Sequence, residues 1–139
     1  MRAMFFTSRE LLDGNWERVV PLIEPVIREA ARGELTVSDI RRLSEQGKMI
    51  TALVEDDSGD PIMAMVFEFV HYPQILAVNI VALGGRDLDG VQQEFFATFR
   101  QWCNSAGVSL IEASCSRAMA RMLEPIGFKS TYQVVRLAV

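Results

Sequence analysis

The chain has 139 residues, half of them hydrophobic and 23% charged; this suits a single domain over 1–139 with a sizeable core and excludes a disordered chain. Fourteen basic against 18 acidic residues give a net charge of −4, so no basic excess exists to release counterions and nucleic-acid binding by phosphate attraction is not expected. Two cysteines are too few for a disulfide scaffold, and the one histidine leaves no His-rich metal site and no Ser-His-Asp or Cys-His machine that does not use His71. No apolar run reaches the roughly 18–20 residues of a membrane span. The N-terminal stretch is too interrupted for a signal peptide.

Residues 4–8 read as a short first strand or an arm. Asp13-Gly14-Asn15 offers turn and N-cap chemistry. From Trp16 the apolar residues Trp16, Val19, Val20, Ile23, Val26, Ile27 and Ala30 take the three-and-four spacing of one helix face. Pro21 and Pro25 lie off that stripe and each removes a backbone donor, and Gly33 ends the helix. Thr36-Val37-Ser38-Asp39 has the form of a capping box opening a short second helix that closes at Gly47.

The pattern then switches to strands. Lys48–Glu55 is the first, Asp56–Asp60 a hairpin turn, and Pro61–Val70 a strand apolar on both parities except at Glu68. Tyr72-Pro73 breaks it, and Ile75–Leu83 is a second doubly apolar strand with Asn79 its one polar interior residue. Gly84-Gly85-Arg86-Asp87 is a loop. Leu88, Val91, Phe95, Phe99, Trp102 and Ala106 form the stripe of a long helix, with Phe96 and Cys103 beside it. Val108–Ser114 is a buried strand, Ser116 caps a short helix with Met119, Met122, Leu123 and Ile126 inward, and Pro125 and Gly127 stop it. Phe128–Thr131 and Tyr132–Val139 supply a final strand pair or one bent strand. Early hairpins followed by a strand-helix-strand crossover imply an α/β (α+β) fold: a mixed, mostly antiparallel twisted sheet of six or seven strands with helices on both faces.

This element order, over roughly residues 4–139, resembles the GNAT superfamily of N-acetyltransferases. The tightest local likeness is Ser116 to Phe128, where the family commonly shows Asn-x-x-Ala-x-x-Leu-Tyr-x-x-x-Gly-Phe. Gly127 and Phe128 match and Met122 fills the leucine position; Ser116, Met119 and Leu123 replace asparagine, alanine and tyrosine. More narrowly, Trp16, Glu34–Ile40, Tyr72-Pro73 and Gly84-Gly85 resemble features of short GNAT-like proteins of tailed bacteriophages, some of them virion or internal virion proteins. Working family members bind the acetyl-CoA pyrophosphate in the loop after the fourth strand, through Arg/Gln-x-x-Gly-x-Gly/Ala. Glycines there let backbone approach the phosphates, and free N–H groups at a helix start face the anion. The resemblance implies that acetyl-CoA, if bound, would meet Leu83, Gly84, Gly85, Arg86, Gly90 and Ser116.

With Arg86 in the arginine position, Asp89 and Val91 stand where glycines are required, and Asp87 and Asp89 bring like charge to the pyrophosphate. Asp89 followed by Gln92 has the spacing of a capping box, which would plug the anion site with the chain's own carboxylate. A shifted alignment using Gly84, Gly85 and Gly90 leaves a workable phosphate nest. Leu123 cannot supply the proton that the family's tyrosine gives to the departing thiolate. Glu68 is the candidate general base, against solvation or an arginine partner; Asn79 is expected to satisfy a backbone group. His71 is expected to be solvated, Cys115 to be a buried structural thiol, and Arg117 and Arg121 to lie on a solvated helix face. The reading is a GNAT-fold phage protein with a degenerate acetyl-CoA site and no cofactor. It would be a minor virion or assembly component in the virion or host cytoplasm, binding a phage or host protein or a second copy, with no nucleic acid and no membrane. The alternative is an active acetyl-CoA-dependent N-acyltransferase with an unusual pyrophosphate loop.

Overall fold

The computed structural model describes residues 1–86 and 88–139, and of Asp89 the backbone alone. The elements run β1 (Arg2–Phe5), α1 (Arg9–Ala30), α2 (Val37–Glu45), β2 (Ile50–Glu55), β3 (Pro61–His71), β4 (Leu76–Gly85), α3 (Leu88–Ser105), β5 (Leu110–Ala113) and α4 (Arg117–Leu123), with a 3₁₀ turn over Glu124–Ile126. Among the described residues the sheet has five strands in the order β1-β2-β3-β4-β5. The first three pairings are antiparallel; β5 joins β4 in parallel through the α3 crossover, as the strand-helix-strand pattern requires.

Strand alternation sends side chains to two separate cores. One lies under α3 and α4 and gathers Met63, Met65, Phe67, Val78, Phe95, Phe96 and Phe99. The other lies under α1 and α2 and gathers Trp16, Val19, Ile23, Ile40, Leu53, Ala64 and Val66. Phe95 and Phe99 are fully buried as their helical stripe predicts, whereas Trp102 is half-buried. Its ring lies flat on Phe5 at 5.0 Å and edge-on to Phe67 at 5.2 Å, at the margin of the sheet.

Two expectations are corrected. The first helix begins at Arg9, capped by the Ser8 hydroxyl accepting from the Leu11 N–H, and runs through Asp13-Gly14-Asn15. Burial of Leu12 on the same stripe as Trp16 outweighs the roughly 1 kcal/mol that a helical glycine costs. The sheet also falls short of six or seven strands. Residues 129–139 are exposed and belong to no regular element, and no backbone hydrogen bond joins them to the other described residues. A strand is made by its ladder, and among the described residues this arm has none.

Candidate functional site

The sheet opens between β4 and β5. Their parallel ladder covers only Ala77–Ile80 against Leu110–Ala113. Beyond Ile80, β4 continues to Gly85 paired with β3 alone among the described residues. The register slips where Val66 faces Ala82 and Phe67 faces Ile80, so Val81 is the extra residue of a β-bulge. Val81 and Ala82 consequently both join the core under α1, while Ile80 and Leu83 join the core under α3. We call this point of the sheet, where the β4 edge loses β5 as a partner beyond Ile80, the notch. Unpaired backbone groups along that edge can accept an extended, amide-bearing chain.

The loop residues are largely spoken for by the fold. Leu83 is 3% exposed in the α3 core. A Cβ on Gly84 would stand 2.2 Å from the Leu22 carbonyl oxygen and 2.8 Å from Val26 Cγ2, so glycine is what lets α1 lie on the strand. A Cβ on Gly85, at φ +154°, would stand 2.3 Å from the Ile62 carbonyl oxygen. Arg86 turns back to the β2–β3 hairpin end, its guanidinium donating to the Pro61 carbonyl at 2.9 Å and its N–H to Ile62 at 2.8 Å. Gly90 is exposed in the first turn of α3. Ser116 caps α4, its hydroxyl accepting from the Met119 N–H.

The expected bonds of the Asp87 and Asp89 carboxylates lie outside the described residues. The capping box is nevertheless corrected: α3 starts at Leu88, which puts Asp89 inside the helix. Gln92 turns inward instead, 7% exposed, and donates to the Met122 carbonyl across to α4. Its Oε1 is buried and finds no partner among the described residues.

A row of polar side chains crosses the sheet beside the notch. Glu68 pairs in register with Asn79, and Asn79 with Glu112. The Asn79 amide donates to Glu68 Oε1 at 3.3 Å; among the described residues Glu68 has no arginine partner, and Asn79 serves this carboxylate and not a backbone group. The Tyr72 hydroxyl donates to Glu112 Oε1 at 2.6 Å. That bond to the carboxylate, followed by burial, raises the phenol above its ordinary value, with the Glu112 charge and Tyr132 of the arm contributing. Asn79 is two residues from the bulge, about 7 Å along the strand. Glu112 and the Tyr72 hydroxyl were missed from sequence. The available signal was the single acid in an otherwise apolar Leu110–Ala113, at the position that pairs with Asn79.

The remaining candidates scatter. His71 is exposed at the β3–β4 hairpin, and Arg117 and Arg121 are exposed on α4. Leu123 is 2% exposed and packs in the core. Cys115 is exposed, against the expectation of a buried thiol, because β5 ends at Ala113 and leaves it in the connection to α4. Cys103 is buried, which pushes its thiol up to about 11. A thiol reagent such as Ellman's should therefore titrate one cysteine rapidly in the native protein and two after denaturation. Two fast thiols in the native state would mean α3 is not docked on the sheet. Among the described residues no cluster of three or more His, Cys, Asp or Glu could hold a metal, and no helix is long and apolar enough to cross a membrane.

A solved variant of the BH1408 protein of Bacillus halodurans superposes with TM-score 0.74 at 18% identity, covering 100% of each chain. The chain has the GNAT fold. A structure described as a probable acetyltransferase gives TM-score 0.74 at 14% identity, over 100% of this chain and 98% of that one. The aminoglycoside antibiotic 6'-N-acetyltransferase AAC(6')-Ih of Acinetobacter baumannii gives 0.67 at 12%, over 99% and 98%. No family model and no curated protein matches the chain. Near-complete mutual coverage at identities this low shows a shared fold and leaves the chemistry to be argued from the site.

Proposed function

We propose that this chain is a GNAT-fold protein whose acetyl-CoA site has degenerated and which acts by binding protein. Its resemblance to short phage proteins suggests a minor virion or assembly component. The observation that carries the reading is the commitment of the cofactor loop to the fold. Gly84 and Gly85 are filled by α1 and β3, and Arg86 is turned to Pro61. In the sequence, Asp87 and Asp89 add negative charge to the segment that the resemblance assigns to the pyrophosphate. Leu123 is buried and has no proton to give. The free edge of β4 and the orphaned Gln92 Oε1 suit an amide-bearing arm. The anchoring and proton-donating groups do not suit the rest of the cofactor, so the side chains present do not fit acetyl-CoA.

The polar row favours a second reading, an active acetyl-CoA-dependent N-acyltransferase. Glu68 and Glu112 flank Asn79 beside the bulge, and either carboxylate could take a proton from an acceptor amine. Calorimetric titration with acetyl-CoA separates the two. The first reading expects no binding heat and no thermal shift at millimolar ligand. Micromolar binding would raise stability by about 2.7 kcal/mol at a hundredfold excess over Kd and would overturn it. The virion role is tested by mass spectrometry of purified particles.

A further inference from the structure

We draw no further inference here: the strongest candidate, the cleft of about 290 Å³ where the start of α1 meets the turn between α2 and β2, lined by Phe6, Ser8, Arg9, Leu12, Ser44 and Met49 among others, rests on a helix N-terminus with no second observation that points to a ligand, since Arg9 is already paired with Asp13 and Glu45, and Ser44, whose hydroxyl oxygen has no partner among the described residues, is only half-buried.

Discussion

Replacing Phe99 with alanine should lower the unfolding free energy by about 3–5 kcal/mol. Phe99 is fully buried, with ring centroids 4.9 Å from Phe67, 5.8 Å from Phe95, and 6.1 Å from both Phe5 and Phe96. It therefore joins β1, β3 and neighbouring turns of α3 in one aromatic cluster. Truncation removes these contacts and leaves a cavity that helix and sheet, each held by its own hydrogen bonds, cannot close. A domain of this size has a total stability of about 5–15 kcal/mol. With a urea m-value of about 1–3 kcal/mol/M, the midpoint should fall by roughly 2 M. A loss below about 1 kcal/mol would mean the α3 stripe is wrongly phased. Phe69, half-buried at the margin of the same cluster, should lose less on the same substitution.

The Phe99 stripe shows what periodicity transmits well. Apolar residues three and four apart place a long helix on a sheet whatever the sheet's details, and α3 runs from Leu88 to Ser105 against an expected Leu88–Ala106. The doubly apolar runs likewise became central strands, and the crossover imposed the parallel β4–β5 pairing. Local signals were poorer guides where tertiary contacts compete with them. Asp13-Gly14-Asn15 reads as a turn, but Leu12 one turn before Trp16 draws those residues into α1. The arm fails for a different reason. Its strand propensity is real, but a strand exists only where an edge is offered, and no pattern within the arm names that edge.

The site was legible as a position and less so as an arrangement. The end of β4 and the start of α3 were identified from a glycine pair before a helical stripe. Which groups those glycines accommodate depends on what packs above them, and Leu22 and Ile62 are distant in sequence. Glu68 and Asn79 were visible as lone polar residues in apolar strands. Their mutual bond, and its extension to Glu112 and Tyr72, depends on register across three strands, and a one-residue bulge changes register.

Gly84 and Gly90 should respond in opposite ways to alanine. In Gly84→Ala the new methyl must displace the Leu22 carbonyl from 2.2 Å to at least ordinary contact, moving a backbone atom of α1 by about 1 Å or more. That atom belongs to a helix anchored by Val19 and Ile23, both fully buried, so the displacement opens the core on either side. The expected loss is about 3 kcal/mol or more, at or above the upper end for overpacking. It should be the same with and without acetyl-CoA. Gly90→Ala sits on an exposed turn of α3, where alanine is about 1 kcal/mol better than glycine, and should raise the melting temperature. Urea unfolding of both variants distinguishes a glycine kept for packing from one kept for a ligand. If Gly84→Ala folds with undiminished stability but loses affinity for acetyl-CoA, the glycine serves the cofactor and the degenerate-site reading fails. If it loses stability while the Gly90→Ala protein gains it and neither binds acetyl-CoA, the loop is part of the scaffold that holds α1 on the sheet.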